Sequence, residues 1–308
     1  MSDATRAIFL KIGSTLFFTL MLACVKLVGD RAPPGEIVFF RSAFGMVPLL
    51  VMLAVQGRLA DAVRTRRPFG HLIRGLAGLA GMTLWFMSVE RLPLPEAMAI
   101  NYGTPLMIVI LAALFLKEKV RIFRWSAVFI GLAGIAVILW PRLEVLERGF
   151  AGDREMVGAM LALASTVAMA TAAVLVRRLT GTESTASIVF YFSLTATLAA
   201  LMTAPFGWTM PSTGDFILLV SAGLLGGLGQ IMVTAAYRFA ETSIIAPFDY
   251  VSMIWGLTLG YVVFGDVPGF NVWVGSAIVI AAGIFIIFRE HQLGLERARM
   301  KSVTTPQG

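Results

Sequence analysis

An all-α polytopic membrane protein, with about ten transmembrane helices arranged as two inverted five-helix repeats around a central cavity, is the fold class this sequence predicts. Three observations predict it. Apolar runs long enough to cross a bilayer recur along the whole chain, the two halves repeat each other at a nearly fixed offset, and equivalent loops of the two halves carry opposite charge bias.

The first observation is one of composition. Hydrophobic residues make up 58% of the 308, charged residues 14%, and the mean hydropathy is +0.84. A soluble domain is roughly half apolar and a quarter charged, and could not hide this much apolar surface. The runs are about 18 to 24 residues long, enough to cross a ~30 Å hydrocarbon core at 1.5 Å per residue. In order they cover residues 7–28, 36–55, 72–89, 96–116, 125–140, 156–179, 187–206, 216–239, 244–264 and 272–288. The first contains "MLAC" at Met21 to Cys24, which loosely resembles a lipoprotein cleavage box. That run is longer than a signal segment and Lys26 follows at once, so it reads as a retained span. Turn signals separate the others: "APPG" before span two, "LPLP" before span four, "TMPSTGD" before span eight and "GDVPG" before span ten. Connections this short leave no room for a soluble catalytic domain.

Charge and special residues narrow the function classes. The net charge of +7 sits in loops and tails, where orientation signals belong, and does not imply a nucleic-acid partner. A single cysteine excludes an internal disulfide, and two histidines without acidic or thiol companions give no metal or cofactor site. No helical metal motif, paired acidic diphosphate site or Ser-His arrangement marks an enzyme.

The second observation is the repeat. Asn101-Tyr102 and Asp249-Tyr250 stand 148 positions apart, and the same offset pairs Gly78 with Gly226, Gly81 with Gly229, Glu118 with Asp266 and Trp125 with Trp273. Upstream, an offset of 151 sets Ser14 on Ser165 and "IVFF" from Ile37 on "IVFY" from Ile188. This divides the chain into a first unit at 1–141, a linker at 142–155, a second unit at 156–289 and a cytoplasmic tail at 290–308. The third observation gives direction. Arg58, Arg64, Arg66 and Arg67 follow span two, and Lys117, Lys119, Arg121 and Arg124 follow span four, whereas the equivalent loops 207–215 and 265–271 carry no lysine or arginine. Under the positive-inside rule the second unit is inverted and both termini are cytoplasmic.

The segment "GTPLMIVILAALFLKEKVRIFRWSAVFIGLAGIAVI", Gly103 to Ile138, resembles the EamA-type repeat of the drug/metabolite transporter superfamily through Pro105, Glu118, Trp125, Gly131 and Gly134. The second unit departs from it, with Met253 in the place of Pro105 and Asp266 in that of Glu118. The resemblance implies a multi-pass carrier of the bacterial inner membrane with a central cavity, usually an exporter of small metabolites or drugs.

Candidate site residues follow from depth and chemistry. Pro105 has no N–H, so the carbonyl of Asn101 loses its helical partner and span four kinks there. Such a broken turn at membrane depth is tolerated where protein, water or ligand satisfies it. Asn101 and Asp249, flanked by Tyr102 and Tyr250, form a pseudosymmetric polar pair that either lines a cavity or only locks helices together. Asp249 is too deep to reach water by stretching, and is the candidate for exchanging substrate against a proton. Gln230 follows "GLLGG" and reaches toward the centre, while Trp85, Tyr237 and Trp255 offer aromatic lining. Arg41 lies inside span two, and a gate pair with Glu96 is one reading of it, a static ion pair the other. Lys26 and Arg177, at equivalent span ends, read as headgroup anchors. Few other basic groups fall at the midplane, which weighs against phosphorylated substrates.

The function expected is secondary transport of a small organic metabolite by alternating access, with protons as a possible second partner and the lipid bilayer as medium. A non-transporting scaffold or lipid-handling protein is the alternative, separated by the absence of saturable solute flux.

Overall fold

The computed structural model describes residues 3–116, 122–146, 154–179, 182–239 and 246–303. These form helices, with no strand among the described residues. Five helices are by themselves long and apolar enough to cross a membrane: Thr5–Arg31, Pro34–Val55, Pro68–Arg91, Arg154–Val176 and Thr213–Val233. Shorter apolar helices accompany them.

The first helix, α1 (Asp3–Val28), has Asp3 in its first turn and Lys26 in its last, the polarity its dipole favours. A 3₁₀ turn at Gly29–Arg31 leads to Pro33, after which α2 (Pro34–Val55) opens on a proline whose missing N–H costs nothing at that position. A short α3 (Ala60–Val63) precedes α4 (Pro68–Arg91), which again starts on a proline and stops before the extended Leu92-Pro93 pair.

Span four is two helices, α5 (Leu94–Asn101) and α6 (Thr104–Leu116), interrupted at Tyr102-Gly103. Next come α7 (Ile122–Leu146), α8 (Arg154–Leu179), α9 (Thr185–Leu201) and α10 (Thr213–Phe239). Ser184 caps α9 by accepting from the Ser187 N–H at 3.0 Å. Span nine is also composite: a 3₁₀ segment at Ala246–Val251 passes into α11 (Ser252–Phe264), which ends on Gly265 at φ +69°. The last helix, α12 (Phe270–Val303), runs well past the apolar segment, through a stretch rich in glutamate, arginine, leucine and methionine that favour helix. Glu118 and the basic loop around it lie outside the described residues, as do the side chains of Pro105, Arg177, Tyr237 and Tyr250.

α1 packs along α10, and α8 packs along α4; the sequence offsets exchange these two pairs. α2 meets α9 and α7 meets α12, each pairing equivalent helices of the two halves. In the second case the backbones touch: a methyl on Gly275 would lie 2.5 Å from the carbonyl oxygen of Gly134. The main core gathers Val25, Val28, Val38, Val89, Leu94 and Ala97, all essentially inaccessible. The outside is apolar as well, with Phe9, Val51, Phe129, Trp273 and Phe285 exposed, as lipid contact requires and water would penalise.

Candidate functional site

The two interrupted spans meet each other. Proline cannot donate to the Asn101 carbonyl, and the helical ladder stops there; the Tyr102 N–H still reaches Met98, but that of Gly103 falls back to Ile100. The 3₁₀ segment of span nine ends at the repeat-equivalent place, Tyr250-Val251. Across the gap the Tyr102 hydroxyl and the Ser252 hydroxyl stand 2.6 Å apart. Ser252 and Thr104 are themselves repeat equivalents, and each turns back on its own break. Thr104 Oγ1 donates to Asn101 Oδ1 at 3.2 Å, and Ser252 Oγ donates to the Asp249 carbonyl.

α1 supplies the third wall. Lys11 Nζ lies 2.6 Å from Asp249 Oδ1, and the Trp255 indole N–H donates to Thr15 Oγ1 at 3.2 Å. The Lys11 side chain is only 4% exposed, whereas that of Asp249 is 52% exposed. The carboxylate of span nine is thus reachable from outside the protein while its cationic partner is not.

Of the residues singled out in the sequence, Asn101, Tyr102, Asp249 and Trp255 fall on these adjoining walls. Tyr250 follows Asp249 in the 3₁₀ segment. Trp85 is buried in the main core together with Tyr102 and Met253. Gln230 stands apart, lining a cavity of about 370 Å³ between α2, α9 and α10 with Gly45, Leu49, Thr185 and Val189. Pro105 occupies the first turn of α6, directly after the break.

The structure does not bring Arg41 to Glu96. Arg41 instead points its guanidinium at the ring of Phe192, 5.8 Å from the centroid, and Arg74 lies 4.0 Å from the same ring. Two arginines therefore stand within the bundle where the sequence had suggested few. Lys26 is not a headgroup anchor here either. Its ammonium is 2.9 Å from Asp266 Oδ2 and donates to the Leu92 carbonyl at 2.9 Å, while Asp266 accepts from the Leu94 N–H at 3.1 Å. One ion pair thus closes the ends of α1, α4 and α5 over the start of span ten.

Sequence reasoning missed Lys11, Thr15 and Ser252. Lys11 carried a usable signal, a charge set among apolar residues four positions inside span one. Thr15 and Ser252 carried none, because hydroxyls are common in spans that bond only to their own helix.

A bundle of apolar helices, two of them broken opposite each other at matching points, defines a polytopic membrane protein built to hold polar groups at depth. The EamA-like transporter family matches residues 5–140 and again 156–289. The chain belongs to that family, within the drug/metabolite transporter superfamily, and is a small-molecule transporter rather than an enzyme. It is 28% identical over 265 residues to an S-adenosylmethionine uptake transporter of Rickettsia bellii, covering 86% of this chain and 87% of that one. A pseudopaline exporter of Pseudomonas aeruginosa is 28% identical over 91% of this chain and 93% of its own. A riboflavin transporter of Vibrio cholerae is 28% identical over 82% and 83% respectively. One solved crystal structure superposes with a TM-score of 0.64 at 21% identity, over 94% of this chain and all but 1% of its own, and shares the fold.

Proposed function

We propose that this chain is a secondary transporter of the bacterial inner membrane, exporting a small amino-acid-like, amphipathic or drug-like metabolite by alternating access of two inverted five-helix units, with both termini in the cytoplasm. The observation that carries the reading is the meeting of the two interrupted spans at Tyr102 and Ser252, with the Lys11–Asp249 pair beside it. Broken helices at depth offer backbone and side-chain polar groups to a solute, and the exchange of packing partners between the halves supports two alternative arrangements around them.

The relatives give uptake, export and a vitamin as precedents, so the family alone does not choose the solute or the direction. Chemistry at the site bears on coupling. Lys11 already occupies Asp249, so a cationic substrate group or a proton must displace that ammonium to bind there. Competition for one carboxylate is a physical basis for exchanging solute against protons.

The test is proton-gradient-driven flux in proteoliposomes, with S-adenosylmethionine and riboflavin as first solutes. Wild type is expected to concentrate one of them, and Asp249→Asn to reach the membrane but lose the pH dependence. An unchanged pH profile in Asp249→Asn would remove this residue from coupling. Absence of saturable flux for a broad solute panel would favour a scaffold.

A further inference from the structure

We propose that Arg41 and Arg74 form an oxyanion-binding subsite inside the bundle, and that it takes a carboxylate of the transported solute; the solute part rests on the transport reading above. Both guanidinium groups address one ring, Phe192 of α9, at 5.8 and 4.0 Å from its centroid. Arg41 Nε, Arg74 Nε and Arg74 Nη1 are buried and have no hydrogen-bond partner. Neither guanidinium has a carboxylate partner among the described residues, in contrast to Lys11 and Lys26, which pair with Asp249 and Asp266.

Position makes this more than an exposed arginine pair. Arg41 lies seven residues into α2 and Arg74 six into α4, on helices that begin at opposite ends of the bundle, so each is about 10 Å in at 1.5 Å per residue. An uncompensated cation at such depth is costly, and two around one ring repel each other as well. The ring face offsets part of that cost through its quadrupole and leaves the remainder for an anion. Glycines let the helices close around the arginines: Gly78 and Gly226, equivalent positions of the two halves, flank the group, where a methyl would sit 2.8 Å from the Phe192 ring and 2.7 Å from Met21 Sδ respectively, with Arg74 Nη1 and Arg41 Nε 3.5 and 3.6 Å away. Phe192 itself stands at the repeat position of Arg41, so the second half supplies an apolar platform where the first supplies the charge. Planar guanidinium forks match the two oxygens of a carboxylate, which a lysine could not do as well.

The experiment uses the full chain purified in uncharged detergent, phenylglyoxal as an arginine reagent and mass spectrometry of the modified sites. Succinate and benzoate are the probe anions, with succinamide and benzamide as neutral counterparts, inorganic phosphate as a second oxyanion and phosphatidylglycerol as a lipid source. Arg41 and Arg74 are expected to react when no anion is added, and both carboxylates to slow that reaction at least fivefold while the amides do not. In Arg41→Gln, protection of Arg74 should need at least tenfold more succinate, and the reverse should hold in Arg74→Gln. Arg41→Lys and Arg74→Lys, which keep the charge and lose the fork, should show the same loss, so a folding defect in the glutamine variants leaves the question decidable. Equal protection by amides, protection by phosphate or phosphatidylglycerol without carboxylates, or no reaction at either arginine would overturn the proposal. Protection without carboxylate flux in proteoliposomes would keep the subsite and count against transport; flux of neutral solutes without protection would do the reverse.

Discussion

Neutralising Asp249 should destabilise the protein more than removing Lys11, although the two form one ion pair. The asymmetry follows from exposure. Asp249→Asn leaves an ammonium that is 4% exposed facing a neutral amide, whereas Lys11→Met leaves a carboxylate whose side chain is 52% exposed and can be hydrated. Exposed pairs contribute about 0.2–1 kcal/mol, and breaking a fully buried pair costs about 3–5 kcal/mol. A pair with one buried and one half-exposed partner falls between, so Asp249→Asn is expected to cost roughly 1–3 kcal/mol. Methionine replaces the buried lysine stem with a similar apolar volume, and Lys11→Met should cost less than about 1 kcal/mol or stabilise slightly. The double variant should then resemble Lys11→Met, so the coupling between the sites should equal the cost of Asp249→Asn alone, roughly 1–3 kcal/mol. Reversible unfolding in mixed micelles, titrated with SDS and followed by circular dichroism, measures all three. Additivity of the single changes within about 0.5 kcal/mol, or a larger loss from Lys11→Met than from Asp249→Asn, would refute the reasoning.

Three further outcomes are expected. Cysteines at Thr65 should react with an impermeant reagent only from the cytoplasm, and cysteines at Thr213 and Gly269 only from the other side; labelling of Thr65 and Thr213 from one side would rule out inversion. Pro105→Ala restores a donor for the Asn101 carbonyl, so it should straighten span four and cut flux while expression is kept; wild-type flux would make the proline incidental. Glu183, in the loop before α9, is subject to burial, which alone would raise its carboxyl, but the Arg66 N–H at 2.8 Å, His71 and Thr65 together hold it lower than usual. Its stabilisation is therefore present above the ordinary carboxylate value of about 4.3 and lost as pH falls further. The stability gap between wild type and Glu183→Gln, measured by thermal unfolding from pH 7 downward, should be full at neutral pH and close in acid.

Much of the fold was legible because a bilayer sets span lengths, and the proline-bearing turns before spans two and four lead into helices in the structure as they do in the sequence. The interruption of span four was equally readable from Pro105. That of span nine was not read at its place, since Met253 stands where that proline would be, although Pro247, which lacks an N–H, opens the 3₁₀ segment itself. The residues on the breaks were found; their partners were not. Lys11 and Asp249 are 238 positions apart, and a helix that is apolar all round gives no stripe to fix its rotation about its own axis. The same indeterminacy explains Arg41. Its depth was evident, but which neighbour it faced depended on how α2 turns against α9, and that is decided by packing at Phe192.

The closure at Lys26 has a kinetic consequence. A single ammonium serves the Asp266 carboxylate, the Leu92 carbonyl and, at 4.8 Å, the face of the Phe264 ring, while Asp266 holds the first turn of α5. Moving Lys26 away forfeits its three contacts together, so partly opened forms at this end gain little from keeping any one of them. Opening there should be all-or-none, seen as two discrete fluorescence-transfer levels with abrupt jumps between dyes placed on Asp30 and Val267 in single molecules, rather than a continuous spread of distances.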